Sequence, residues 1–146
     1  MKYYPYETFK NDTKKLIQEV RSFEPDTLLA IARGGLTLAH AMAEGLDIRE
    51  VQSLRTELYD KTLKREALSL FGACDFAQNA KVLVVDDISD SGETLRFVMG
   101  YLQESFPGVT FKTVTLFYKP TSIYEPDFWV HKTDEWIDFF WERDFR

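Results

Sequence analysis

The 146 residues carry 18 lysines and arginines against 24 aspartates and glutamates, a net charge of −6. That balance excludes the broad basic face that a nucleic-acid backbone requires. No apolar run approaches the ~20 residues needed to cross a bilayer, and the opening MKYYPYETF lacks the apolar stretch and cleavage pattern of a signal peptide. A single cysteine, Cys74, forms no internal disulfide, so the expectation is a cytoplasmic protein with no nucleic-acid partner and no membrane insertion. An apolar share of 45% supports one compact domain over residues 1–146, and an aromatic share of 15% points to rings used for more than filling.

Phe9, Leu16, Ile17, Val20 and Phe23 recur near the helical period, predicting a helix over residues 8–23, with Pro25 just beyond. Residues 27–31, TLLAI, are too short a run for a helix and read as a buried strand that ends at Arg33, Gly34 and Gly35. A small-residue helix is expected over 36–44, stopped at Gly45 as a left-handed cap, followed by an extended segment over 48–58. Residues 59–79, charged and then mixed, show no sustained period and read as a long surface loop or a loose hairpin, often a lid in compact domains. A strand over Lys81–Val85, a helix over 91–104, a turn at Pro107 and Gly108 and a strand over 110–118 complete a second crossover. Such alternation predicts an α/β fold with a mostly parallel, twisted sheet flanked by helices, whose ligands sit at the carboxyl ends of the strands. The tail over 124–146 holds all three tryptophans and alternating acids, and reads as a small aromatic hood.

Residues 82–95, VLVVDDISDSGETL, concentrate the chemistry. Asp86 and Asp87 follow a buried strand directly, where two adjacent carboxylates repel each other unless ribose hydroxyls, a magnesium ion or both compensate. Ser91, Gly92, Glu93 and Thr94 then supply hydroxyls, a close-approach glycine and a helix N-terminus, the parts of a phosphate cup. Asp90, between the two groups, is placed to act as a base. The competing reading is that Asp90 and Ser91 only cap the helix.

This segment resembles the phosphoribosyl-pyrophosphate signature of type I phosphoribosyltransferases. The resemblance implies that Asp86 and Asp87 contact the ribose, that Asp87 also serves the metal, and that Ser91, Gly92, Glu93 and Thr94 bind the 5′-phosphate. Arg33 and Gly34 resemble the family's pyrophosphate loop, which implies a non-proline cis bond between Ala32 and Arg33. Lys119 at a strand end, Trp136 and Ile137 in the hood, and Glu142 after Trp141 are similar to the 6-oxopurine branch, especially short bacterial xanthine-guanine or hypoxanthine-guanine enzymes. By that likeness Lys119 reads the six-oxo group, Trp136 stacks on the purine, Ile137 binds it through its backbone, and Glu142 replaces an aspartate near base and pyrophosphate. Residues 119–146 then form most of the base-binding hood. Tyr59 and Asp60 match the start of the family's mobile loop, although Leu58 stands where a serine is common.

The implied activity is magnesium-dependent transfer from phosphoribosyl pyrophosphate to a purine base, with Asp90 as the catalytic residue and a homo-dimer or homo-tetramer as the working state. A non-catalytic regulatory protein on the same fold is the alternative, disfavoured by the absence of a basic face. A receiver domain would carry its acidic pair near the chain start. His40 and His131 have no ligand-like spacing to each other or to Cys74 and read as structural.

Overall fold

The computed structural model describes the backbone of residues 1–60 and 66–146 and the side chains of 1–57 and 68–146. After a short strand β1 (Lys2–Tyr4), helix α1 (Tyr6–Val20) runs into a 3-10 turn at Arg21–Phe23 and leads to β2 (Thr27–Ala32). Helix α2 (Leu36–Leu46) connects β2 to β3 (Val51–Asp60), which pairs antiparallel with β4 (Glu66–Phe71), and the chain returns through β5 (Lys81–Val85). Of the two readings of residues 59–79, a long surface loop or a loose hairpin, the β3–β4 pairing favours the hairpin, whose first strand is the extended segment expected over 48–58. Residues 61–65 and the side chains of Leu58, Tyr59 and Asp60 lie outside the described residues. Next come β6 (Ile88–Ser89), α3 (Glu93–Ser105), β7 (Thr110–Val114), β8 (Phe117–Tyr118), β9 (His131–Lys132), β10 (Ile137–Phe139) and the short helix α4 (Phe140–Arg143).

The main sheet has the order β4-β3-β2-β5-β7, parallel throughout except for β4. Successive strand side chains point to opposite faces. Leu28, Ala30, Leu83 and Val85 therefore meet α1 and α2 on one face, through Leu16, Ile17, Val20, Leu38 and Met42. Leu29, Ile31, Val82 and Val84 meet α3 on the other, through Leu95, Val98, Met99 and Leu102. Apolar runs without polar alternation are what a strand covered on both sides requires.

Two element ends differ from the sequence expectation. Helix α2 continues through Gly45 to Leu46, and Asp47 at φ 54° provides the left-handed cap. Gly45 serves packing instead: a Cβ there would collide with Cδ1 of Ile17, so the missing side chain lets α1 and α2 approach. The strand expected over 110–118 is broken after Val114. Leu116 and Phe117 both donate their amides to the Asp87 carbonyl, at 3.0 and 3.2 Å, and the chain leaves the main sheet. Its continuation, β8, sits between β6 and β9 in a separate parallel sheet, and β10 pairs in parallel with β1. These two small sheets form the hood, filled by Tyr4, Phe117, Ile137 and Phe139. The pairing of the N-terminal strand with the hood had no sequence signal, because three residues are too few for a period.

Candidate active site

The carboxyl end of β5 emerges between β2 and β7 and delivers Asp86 and Asp87 to the sheet edge. The Asp86 amide bonds to the Val114 carbonyl at 3.1 Å, and the Asp87 amide bonds to the Asp86 carboxylate at 2.9 Å, so the turn is fixed by its own first acid. Burial and then the Asp87 charge push the Asp86 carboxyl well above the ordinary carboxylate range. Burial also raises Asp87, to about 6; hydrogen bonding from Asp86 opposes the rise and the nearby Glu142 charge adds to it. Ionising both members of this pair in the protein alone is therefore costly, as perturbed carboxyls at a functional edge often are.

Beyond the acids, β6 carries the chain into a cup of about 80 Å³ lined by Asp86, Ser89, Asp90, Ser91, Gly92 and Thr94. Gly92, at φ 86°, is the N-cap of α3. A Cβ there would stand 2.6 Å from the Tyr124 amide and would strike Ser122 Oγ, so glycine is required by both conformation and space. Ser122 braces the cup from behind through Ser89 at 2.8 Å, and the Ile123 amide bonds to the Ser91 carbonyl at 2.9 Å. Ser91 caps in part, accepting the Glu93 amide at 3.2 Å. Asp90 makes no cap; it faces Lys119. The Glu93 side chain leaves the cup and lines a groove along α3 with Arg96 and Phe97, so only its amide remains at the helix start.

Lys119 follows β8, its amide held by the Ser89 carbonyl at 3.0 Å. Its ammonium lies 2.9 Å from Asp90 Oδ1, with a side chain 19% exposed against 52% for Asp90. Both line a cleft of about 170 Å³ with Asp87, Ile88, Glu135, Trp136, Ile137, Phe139 and Glu142. This is below the roughly 300–1,000 Å³ of drug-sized sites, and suits one flat ring system. Trp136 is 64% exposed, leaving its ring free as a platform. Lys2, opposite Ile137 in the β1–β10 ladder, donates its amide to the Trp136 carbonyl at 2.9 Å. In a parallel ladder a residue bonds to the neighbours of its opposite number, so the Ile137 amide and carbonyl point away from β1.

A third opening, about 530 Å³, is lined by Arg33, Gly34, Leu36, Thr37, Trp141, Glu142, Phe145 and Arg146. The Ala32–Arg33 bond is cis. A Cβ on Gly34 would stand 2.6 Å from Asp87 Oδ2, and one on Gly35 would strike the Val85 carbonyl, so this loop lies against the acidic turn only because both positions are glycine. Glu142 lines this opening and the base-sized cleft alike, and accepts from Arg146 at 3.1 Å.

The three openings share lining residues along one edge, and their linings include Arg33, Gly34, Asp86, Asp87, Asp90, Ser91, Gly92, Thr94, Lys119, Trp136, Ile137 and Glu142. The Glu93 side chain is not among them, and the side chains of Tyr59 and Asp60 lie outside the described residues. Sequence reasoning missed Glu135, Phe139, Thr37, Arg146 and the brace at Ser122; the turn residues Pro120, Thr121 and Ser122 were the one available signal for the brace. His131 bonds Asp12 and His40 lies 3.6 Å from Glu44, so neither approaches the site. Among the described residues no cluster of three or more metal-ligating side chains occurs. Among them, too, no helix is long and apolar enough to cross a membrane.

A cup at a helix start, paired acids after a central parallel strand and a hooded flat cleft lie along one sheet edge, the arrangement open α/β sheets offer to a ligand. The phosphoribosyl transferase domain model matches residues 3–144, and the chain belongs to that family. It is 33% identical over 118 residues to the xanthine-guanine phosphoribosyltransferase of Idiomarina loihiensis, covering 79% of this chain and 70% of the relative. Among solved structures, the Helicobacter pylori xanthine-guanine-hypoxanthine phosphoribosyltransferase is similar with a TM-score of 0.91 at 37% identity, covering 99% of this chain and 95% of that one. The Pyrococcus horikoshii purine phosphoribosyltransferase follows with a TM-score of 0.87 at 28% identity, over 97% and 93% of the two chains.

Proposed function

We propose that the protein transfers the phosphoribosyl group from phosphoribosyl pyrophosphate to a 6-oxopurine, guanine, xanthine or hypoxanthine, releasing pyrophosphate and a nucleoside monophosphate. The observation that carries this reading is the Lys119–Asp90 pair at 2.9 Å. On a 6-oxopurine, the O6 acceptor and N7 lie side by side on one edge. An ammonium beside a carboxylate matches that edge when N7 bears a proton: Lys119 donates to O6 and Asp90 accepts from N7–H. As the ring nitrogen N9 forms its bond to the anomeric carbon and the bond to pyrophosphate breaks, Asp90 takes the N7 proton. Adenine would set an amino donor against the Lys119 donor. The names of the relatives point the same way.

Asp86 and Asp87 face the ribose, where positive charge develops on the sugar, and their carboxylates oppose it. Ser91, Gly92, Thr94 and the α3 N-terminus, including the Glu93 amide, hold the 5′-phosphate. Arg33 and Gly34 hold the pyrophosphate. Glu142 lies between base and pyrophosphate, and Trp136 stacks on the base while Ile137 bonds its edge through the main chain.

The donor set fits magnesium. Asp87, with Asp86 beside it, offers oxygen ligands without a closed protein cage, and Mg²⁺ is commonly held by one or two carboxylates plus substrate phosphates. When bound there it would screen the negative charge of the leaving pyrophosphate. The same reading places the protein in the cytoplasm as a homo-dimer or homo-tetramer, which sedimentation velocity tests.

The test of the function is turnover of purified protein with phosphoribosyl pyrophosphate, magnesium and each of guanine, xanthine, hypoxanthine and adenine. Nucleotide formed from the 6-oxopurines and little from adenine is the expected result; no product from any base overturns the reading. Trp136→Ala should chiefly raise the KM for the base, by up to roughly tenfold if ring stacking contributes about 0.5–1.5 kcal/mol.

A further inference from the structure

Asp12 lies on α1, outside all three openings, and is 5% exposed. One of its oxygens, Oδ2, meets two partners: the Tyr4 hydroxyl donates to it at 2.6 Å, and His131 Nε2 stands 2.8 Å away. Tyr4 ends β1 opposite Phe139 of β10, the strand that presents Ile137. His131 begins β9 opposite Phe117 of β8, whose next residue but one is Lys119. Between β9 and β10 runs the segment 133–136, which ends in Trp136. A single carboxylate oxygen thus ties β9 directly, and β10 through β1, at the two ends of the segment that carries the stacking ring.

The Tyr4 arm is packed on all sides, whereas the His131 side chain is 40% exposed. The Tyr4 ring is 1% exposed and meets Phe117 and Phe139 edge-on at 5.1 and 5.7 Å. The His131 ring lies 5.3 Å from Phe117. The Tyr4 hydroxyl is buried with Asp12 as its hydrogen-bond partner, and the buried Asp12 oxygen is shared between Tyr4 and His131. Asp12, Tyr4 and His131 line neither the phosphate cup nor the Arg33 opening, and the nearest link is Tyr4 meeting Trp141 of the latter edge-on at 6.3 Å.

We propose that Asp12 is a positioning residue for the purine, holding β9 and β10 at the spacing that sets Trp136 and the Ile137 main chain against the base. The proposal rests on the reading of the hooded cleft as the base site. Loss of the clamp lets the hood spread, and its effect is confined to ligands that carry a base.

Binding of GMP and of ribose 5-phosphate by calorimetry separates the two sites, because only the first fills the hooded cleft. In Asp12→Asn the amide oxygen is a weaker acceptor for two donors; in Tyr4→Phe the ring stays and one arm is lost. Asp12→Asn should weaken GMP by roughly 5- to 10-fold, about what one buried hydrogen bond contributes, and Tyr4→Phe by less. Ribose 5-phosphate should bind both within about 2-fold of the wild type. If Asp12→Asn does not fold, Tyr4→Phe and His131→Gln carry the same comparison. Equal losses for the two ligands, or a lowered melting temperature with unchanged GMP affinity, overturn the clamp while leaving the function standing. A wild-type protein that binds ribose 5-phosphate but no GMP overturns the base cleft and the clamp together.

Discussion

Asp90 and Lys119 neutralise each other in the free protein, and the value of that pairing lies in orientation. A half-exposed ion pair contributes roughly 0–1 kcal/mol to folding, so neither residue is held there for stability. Two consequences separate at this scale. Asp90→Asn keeps the shape of the cup but cannot take a proton, so kcat should fall by about 10²- to 10⁴-fold with the KM for phosphoribosyl pyrophosphate little changed; equal losses in both would assign Asp90 to loop building. On the proposed reading, Lys119→Met removes the donor to O6 and leaves the base edge unread. Steady-state kinetics should show the base KM raised by roughly 10- to 100-fold, and a thermal melt should shift by no more than the ion pair is worth. The acids, the cup and Lys119 were legible in the sequence because each directly follows a strand whose apolar run marks its direction. The outward turn of Glu93 was not legible, since which side of α3 each residue faces depends on how the helix packs against β5 and β7.

At the scale of elements, the loops are fixed by what lies behind them. The break between β7 and β8 is invisible in an apolar run such as TVTLFY, because residues of the same character serve two sheets in succession. What ends β7 is a tertiary event, the Asp87 carbonyl accepting two amides. Gly45 shows the same limit: a glycine near a helix end signals a cap, yet here Ile17 of a neighbouring helix explains it and Asp47 performs the capping. Gly92 was legible as a close-approach residue, and its partners Ser122 and Tyr124 were not. Gly92→Ala should therefore act on the element as a whole. The left-handed φ alone costs an alanine about 1–2 kcal/mol, and the added methyl group must push back the Ser122 brace. The expected outcome is a melting temperature several degrees lower and ribose 5-phosphate affinity reduced by at least ~10-fold. Unchanged affinity would detach the cup from the phosphate.

For the molecule as a whole, the acidic pair sets a conflict between the ligand-free fold and its site. Asp87 has a folded-state pKa of about 6 against an ordinary 3.8, and Asp86 is displaced in the same direction. The folded protein therefore binds these protons more tightly than the unfolded chain does. Below about pH 4 the groups are neutral in both states and cost nothing; as pH rises from there through 6 the Asp87 penalty grows, and above 6 it is complete. At ~1.4 kcal/mol per unit, a rise of this size shared by the acidic pair removes on the order of a few kcal/mol from a ligand-free domain whose total stability is on the order of 5–15 kcal/mol. Asp87→Asn keeps the shape and discards the charge, so at pH 7.5 the free variant should melt several degrees above the wild type, and the difference should shrink as pH falls toward 4. Ligand binding should reverse the order: phosphoribosyl pyrophosphate with magnesium should raise the wild-type melting temperature strongly and the variant's little. Differential scanning calorimetry across pH 4–8, with and without both ligands, measures both effects. A variant no more stable than the wild type at pH 7.5 would show that water reaches Asp87 well enough to remove the penalty, and the acidic turn would then owe its placement to the sheet edge alone.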